Sequence, residues 1–407
     1  MDQPQTTEPP LRGLKVLEMG QLIAGPFAAA ILASFGAEVI KIELPGTGDS
    51  LRSWRKVYKG TSLWWHSIAR NKKSITLDLT QPDGQAIARR LAAKVDIVLE
   101  NFKPGTMEKW GLGYDDLTAV NPGLIMVRVS GWGQTGPYAN RPGFANVAEG
   151  VGGIRYTSGY PDRPPVRTGT SLGDSLAAIH AALGALIAVY HRDGKGSGGT
   201  GQGQMVDVAI YESVFNMMES LLPEYDKLGY VRERRGAQLE GIVPTSSYLC
   251  RDGKYLTIGG NGESIFRRLM TAIGRPEMAA DPRFEGNPGR VAHETEINQA
   301  LDEWTAQHDF DEAYATLLDV SVPCGPIYSI ADIAADPHYQ AREMFETADL
   351  GDGDSVKVPA IVPKLSKTPG RTEWHGPALG AHNAEIFGDL LQMNESELSR
   401  LRADRVI

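Results

Sequence analysis

The chain has 407 residues, with 41 Lys+Arg against 50 Asp+Glu and a formal net charge of −9. That balance excludes a protein built to wrap nucleic acid or coat an anionic membrane, since both need concentrated positive charge. Hydrophobic residues at 42% and charged residues at 22% are globular values, and the length leaves room for two or three domains with an ample core.

The opening MDQPQTTEPP has no cationic segment before an apolar run, so no secretory signal is expected. Residues 14–19 (LKVLEM) then read as a strand that ends at Gly20. Pro26 suits a first helical turn. FAAAILASFG follows as a helix with Gly36 at its C-terminal end. AEVIKIE is the next strand, and PGTGD breaks the chain. A second unit runs from SITLDL through the helical PDGQAIARRLAAKV to the strand DIVLEN. A helical segment at 115–120 leads to a further strand, LIMVRVSG. Strands alternating with helices at this spacing predict an α/β fold with a mostly parallel sheet covered on both faces. Ligands in such sheets bind beyond the carboxyl ends of the strands. The loops at 20–25, 43–49, 101–105 and 130–144 are therefore the candidate site.

After residue 150 the texture changes. Gly, Pro and Thr dominate 151–170, and a long helix is expected over 177–192. Its run LAAIHAALGALIAVY, interrupted by His180, reads as too short to span a membrane. Six glycines in the ten residues 194–203 form a connection between helix and strand, the wrong order for a phosphate-binding loop. The strand-like MVDVAI and helical YESVFNMMESLL follow. YLCRDGKYLTIGG reads as a hairpin about Asp252-Gly253, with two helical stretches after it. A helix from PIYSIADI, a strand within SVKVPAIVP and a last helix complete the chain. The domains expected are residues 1–205, the first part of a large domain; 226–325, a small one; and 330–407, a return to the large one. Cys250 and Cys324 have neither metal-ligand spacing nor a disulfide framework, so no metal site is expected.

Several residues invite chemistry. The turn after the first strand lacks GxGxxG, although Glu43 falls about twenty residues on, where a ribose-binding acid would sit; an NAD-dependent dehydrogenase is thus a weak alternative. Arg70-Asn71-Lys72-Lys73 is a compact basic patch that reads either as an attractor of a polyanion or as a solvated loop. Lys103 and Lys109 flank a Pro104-Gly105 turn at a strand end. Asp174, in Gly169-Thr-Ser-Leu-Gly173-Asp174-Ser175, reads either as a helix N-cap or as a carboxylate nucleophile on a glycine-flexible loop, ionised at neutral pH and able to attack an acyl group without a separate base.

Taken in order, LRGLKVLEMGQLIAGPFAAAILASFGAEVIKIELPGTGD, RNKKSITLDL, DIVLENFKPG, RPGF, TGTSLGDSLAA and VPCGPIYSIADIAADP resemble the class III CoA-transferases, the CaiB/BaiF family, which includes formyl-CoA:oxalate and succinyl-CoA-dependent dicarboxylate transferases. The resemblance runs from about residue 11 to the C-terminal region. It implies a Rossmann-like large domain, a small α/β domain and two protomers interlocked as linked rings in a homodimer. It places the family nucleophile on Asp174. It places CoA contacts on Ile23 and Ala24, on 77–80 including Leu77, on Asn101, Phe102 and Lys103, on Lys109, and around Gly143 and Phe144. Lys109 replaces an arginine, keeping the charge without the bidentate fork, and a second arginine position falls on Leu44. The family's glycine-rich loop aligns with 236–241 (GAQLEG).

The activity so implied is transfer of CoA from an acyl-CoA, succinyl-CoA or another dicarboxylyl-CoA, to a carboxylic acid through an aspartyl-CoA thioester on Asp174. CoA and acyl-CoA enter as substrates, with no permanently bound cofactor. The partners are small molecules and a second copy of the chain, with no nucleic acid or membrane, in the cytoplasm. A 2-methylacyl-CoA racemase of the same fold would need a histidine in the loop before the Gly-Asp pair, and residues 130–170 contain none.

Overall fold

Six parallel strands carry the first part of the chain: β1 (Lys15–Glu18), β2 (Glu38–Glu43), β3 (Lys72–Thr76), β4 (Ile97–Glu100), β5 (Ile125–Ser130) and β6 (Met205–Ala209), in the order β3-β2-β1-β4-β5-β6. The structure is a computed structural model and describes residues 8–194, 198–351 and 353–407. Part of the glycine-rich run, residues 195–197, lies outside the described residues. The central strands are largely apolar because both faces are covered, with charged residues buried among them; all six residues of β5 are buried.

One face, with Leu17, Ile40, Ile75, Val98 and Met126, packs on Ile87 and Leu91 of helix α2 (Pro82–Ala92) and on Ile386, Phe387, Leu398, Leu401 and Val406 from the end of the chain. Each such side chain contributes roughly 1.5–3 kcal/mol on burial, so these C-terminal residues hold their segment to the sheet. Asp78 N–H also donates to the Val406 carbonyl at 2.8 Å. The opposite face, with Val16, Val39, Ile97, Ile125 and Val127, packs on alanines of α1 (Ala24–Ser34) and, beyond the short helix α3 (Ala145–Val151), of α4 (Leu172–Asp193). Small side chains let these helices lie close to the sheet.

Helix α4 starts five residues earlier than its composition suggests. Its 22 residues make it, by length and composition, long and apolar enough to cross a membrane, which corrects the shorter reading of that run. Its alanine stripe nevertheless belongs to the sheet core.

By contacts the chain divides into two units. The first comprises Met1–Ile154, Thr168–Glu219 and Ala341–Ile407; the second comprises Arg155–Arg167 and Ser220–Gln340. The second has its own antiparallel sheet of β7 (Thr245–Leu249), β8 (Tyr255–Gly259) and β9 (Cys324–Pro326), with β8 in the middle. The hairpin turn falls at Asp252-Gly253, where Gly253 has φ of 81°. Helices α5 (Glu263–Ala272), α6 (Glu294–Thr305) and α7 (Phe310–Asp319) cover this sheet through Phe266, Leu269, Ile297, Leu301 and Leu317. Two further short helices, Pro276–Ala280 and Gly286–Ala292, lie between α5 and α6, where the sequence suggested fewer; Pro276, Pro282 and Gly286 cut the helical pattern into pieces. In the first unit the strand at Asp354–Pro359 has an antiparallel partner, Phe345–Gly351.

At the end of α1 the chain turns sharply toward β2. Gly36 takes φ of 99°, its N–H donates to Ala33 and that of Ala37 to Leu32, the paired bonds of a Schellman cap. A Cβ on Gly36 would lie 2.2 Å from Cβ of Pro9. Gly36→Ala should therefore lower stability by about 1–3 kcal/mol, read as a lower urea midpoint with unchanged slope.

Candidate active site

Strands β1 and β4 are neighbours, yet the connections that leave them run to opposite halves of the sheet, a switch point of the kind at which open α/β sheets bind ligands. Residues 20–25 leave β1 there, and residues 101–105 leave β4. Asn101 ties the two loops: its Oδ1 accepts from Gln21 N–H at 2.8 Å and its Nδ2 donates to the Gln21 carbonyl at 2.8 Å. Ile23 is the N-cap of α1 and Ala24 its first residue; no side chain caps this helix, whose first N–H groups carry partial positive charge.

The turn after β4 is held from below by buried charge. Arg128 Nε meets Glu100 Oε1 at 2.7 Å, its guanidinium also meets Glu108 at 2.6 Å, and the other Glu100 oxygen accepts from Phe102 N–H at 2.6 Å. Burial pushes the Glu100 carboxyl above its ordinary range against the pull of Arg128, whereas the Arg128 hydrogen bond holds half-exposed Glu108 below it. Phe102 stands edge-on to Trp110, ring centres 5.2 Å apart. Lys103 and Lys109 are exposed, and among the described residues neither has a carboxylate partner.

Gly143 and Phe144 follow β5; Phe144 is exposed at the N-cap of α3. Leu77 follows β3, but its side chain is core and its N–H is spent on the Glu43 carbonyl. Leu44, after β2, is exposed. The structure thus gathers Ile23, Ala24, Asn101, Phe102, Lys103 and Lys109 on the connections after β1 and β4, with Gly143 and Phe144 on the connection after β5. Leu77 lies two strands to the other side.

Asp174 is neither a helix cap nor part of a flexible loop. Ser171 is the N-cap and Asp174 stands in the first turn of α4. Buried Glu149, on α3, accepts from Gly173 N–H at 3.2 Å and so satisfies an orphan donor that no side chain at the N-cap reaches. A Cβ on Gly173 would approach Glu149 Cγ to 3.1 Å and Ile210 to 3.2 Å. At the far end of the helix Arg192 donates to the Gly123 carbonyl, just before β5. Gly123 precedes β5 while Ile210 follows β6, so α4 runs against the strands and presents half-buried Asp174 at their carboxyl edge.

Two sequence readings change. Lys72 is no surface cation for phosphate: it is buried, with Nζ 2.7 Å from Glu18 and 2.7 Å from the Pro26 carbonyl. Glu43 is not available to a ribose: buried, it binds Arg52 through both oxygens at 2.6 and 2.8 Å and accepts from Ser74 and Asp49 N–H. Burial opposes its charge, but Arg52 and Lys41 hold it below the ordinary range. Lys41, beside it, escaped notice although charged residues inside apolar strands, in VLEM and VIKIE, are the available signal. Residues 236–241 lie in the second unit, anchored by Gly236 N–H to Gly159 and by Asn287 to the Gly241 carbonyl.

A family model described as CoA-transferase family III matches residues 11–383. Succinyl-CoA–D-citramalate CoA-transferase of Chloroflexus aurantiacus is 50% identical over 399 residues, covering 98% of each chain. The alpha subunit of succinyl-CoA–L-malate CoA-transferase from the same organism is 43% identical, covering 98% of this chain and 92% of that one. A solved CaiB/BaiF family protein from Brucella suis is 34% identical, with a TM-score of 0.82 over 94% of this chain and 100% of that one.

Removing Arg128 would leave Glu100 buried without its cation. Arg128→Met should cost about 3–5 kcal/mol in denaturant unfolding, and adding Glu100→Gln to the same chain should recover most of the loss.

Proposed function

Because the chain belongs to CoA-transferase family III, we propose that it moves CoA from succinyl-CoA to a small dicarboxylic acid, with Asp174 as the covalent relay. The observation that carries the proposal is the placement of a half-buried aspartate at the carboxyl edge of the sheet, in the first turn of a helix pinned by Glu149. The donor and acceptor class rests on the two relatives named above, whose acceptors, citramalate and malate, are both 2-hydroxy dicarboxylates.

The Asp174 carboxylate attacks the thioester carbonyl, and CoA leaves as thiolate from a mixed anhydride. The thiolate attacks the aspartyl carbonyl, releases the donor acid and forms an aspartyl-CoA thioester. The acceptor carboxylate attacks that thioester to give a second anhydride and thiolate. Thiolate attack on the acceptor's acyl carbon yields the new acyl-CoA and restores Asp174. Bonds of similar energy are exchanged throughout, so positioning and exclusion of water are what the protein must supply. Backbone N–H groups in the first turn of α4 suit the oxyanions that form beside Asp174.

CoA lies over the switch point, its nucleotide on the Ile23-Ala24 and Asn101-Phe102 connections and its phosphates near Lys103 and Lys109. Two copies pair through α4, whose Ile179, Leu183, Ile187 and Tyr190, spaced at helical intervals, are exposed; a contiguous apolar stripe of this kind favours a partner.

Asp174→Asn keeps the size and removes the nucleophile. Its expected phenotype is a folded protein that binds CoA within a few-fold of wild type and transfers none; wild-type turnover by this variant would refute the relay. If Lys103 and Lys109 meet phosphates, CoA affinity falls as salt rises, and the double variant Lys103→Ala/Lys109→Ala flattens that dependence in a titration by calorimetry.

A further inference from the structure

We infer that Lys41 and Lys72, with Glu18 and Asp49, are positioning residues that hold the loop of residues 20–26 in the shape that accepts CoA; this rests on the placement of CoA over that loop proposed above. The four side chains come from different elements: Glu18 ends β1, Lys41 lies in β2, Lys72 begins β3, and Asp49 lies on the connection after β2. All are buried. Lys41 Nζ lies 2.7 Å from Glu18 and 2.7 Å from Asp49; Lys72 Nζ lies 2.7 Å from the other Glu18 oxygen. Two ammonium groups thus face two carboxylates, and charge balances without solvent.

Three of these groups also grip the same stretch of backbone, and Glu18 holds two of the three. Lys41 donates to the Gly20 carbonyl at 2.9 Å, Asp49 accepts from Leu22 N–H at 3.0 Å, and Lys72 donates to the Pro26 carbonyl at 2.7 Å. The loop needs such support. Leu22 sits at φ of 65°, a left-handed conformation that a leucine keeps only where its surroundings over-determine it. Stability alone is a poor reason for the cluster, because buried ion pairs are often matched or bettered by apolar side chains of similar size. Geometry is the better one. Charges from three strands and the connection after β2 converge on the seven residues that lead into α1, and the relay's substrate is placed on those residues.

The two lysines differ in their protonation. Burial disfavours the charge of both, but for Lys41 the carboxylates of Asp49, Glu18 and Glu43 outweigh it and hold the ammonium above its ordinary range, while Lys72, facing Glu18 and the positive Lys41, is pushed down to about 8. Rising pH should thus strip the proton from Lys72 first, ending its ion pair with Glu18 and weakening its hydrogen bond to the Pro26 carbonyl from charge-assisted to neutral. A lysine whose folded pKa is depressed makes the folded state hold fewer protons than the unfolded one above that value, so this titration by itself raises stability with pH. Loosening of the loop would therefore appear as lost affinity without a falling melting temperature.

The test uses the full chain, S-methyl-CoA as a thiol-free probe, and the charge-balanced variant Glu18→Gln/Lys72→Met. Expected are a melting temperature near wild type, faster hydrogen exchange in peptides covering residues 20–27 without ligand, and S-methyl-CoA affinity lowered roughly 10- to 100-fold. Wild type itself should lose affinity above about pH 8 while its melting temperature holds, and the variant should lack that alkaline limb. Unchanged exchange in the variant overturns the inference. Faster exchange with unchanged affinity overturns the placement of CoA on this loop, and the inference with it. If the variant does not fold, hydrogen exchange in the wild type decides: amides of residues 20–27, Leu22 N–H included, that exchange as fast as those of an unbraced loop overturn the proposal.

Discussion

A parallel sheet that turns back on itself between β1 and β4 leaves the connections after those two strands diverging, and the structure around the candidate site depends on that divergence. Loops 20–25 and 101–105 face each other there because their strands pair, Val16 beside Ile97 and Glu18 beside Leu99. Backbone that diverges in this way leaves N–H and carbonyl groups without ladder partners. Asn101 supplies both partners to Gln21, Glu100 supplies one to Phe102, and Asp49 supplies one to Leu22. The switch point is therefore polar in its foundations, although the strands beneath it are apolar.

Buried charge recurs at this edge for the same reason. Glu100 with Arg128, and Glu18 with Lys41 and Lys72, are ion pairs in a region that water does not screen. They are costly to desolvate and more costly to break. What they supply is direction: Glu100 has one oxygen on Arg128 and the other on Phe102 N–H, while Glu18 holds the two lysines that grip the loop after β1. The proposed transfer, through two hydrolysable anhydrides, would need loops that do not wander, and these loops are braced on both sides of the switch point.

The α/β architecture was legible because buried parallel strands leave unbroken apolar runs, as in LIMVRVSG, and because Pro82 and Gly36 mark helix ends by their backbone requirements. The strand-end rule directed attention to residues 20–25, 101–105 and 130–144, which do follow β1, β4 and β5. What local composition could not convey was pairing at a distance. Asp174 looked like a cap because Thr170, Ser171 and Gly173 are poor helix formers; Glu149, twenty-four residues upstream in sequence, supplies the contact that lets the helix begin before it. Lys72 looked solvated because Glu18, its partner, is fifty-four positions away and meets it only when β1, β2 and β3 come together. Glu43 sits where a ribose would want an acid, yet Arg52 occupies it.

The account turns on whether Asp174 exchanges its own oxygen with substrate. In the relay, attack of the acceptor carboxylate on the aspartyl thioester and cleavage of the anhydride by CoA leave one acceptor oxygen on the aspartate. Turnover with a dicarboxylic acceptor labelled with heavy oxygen in its carboxylates, followed by quenching, proteolysis and mass spectrometry, reads this directly. The account predicts heavy oxygen in the peptide that contains Asp174 and in no other. An unlabelled Asp174 peptide after many turnovers, or label on a different carboxylate, would contradict it.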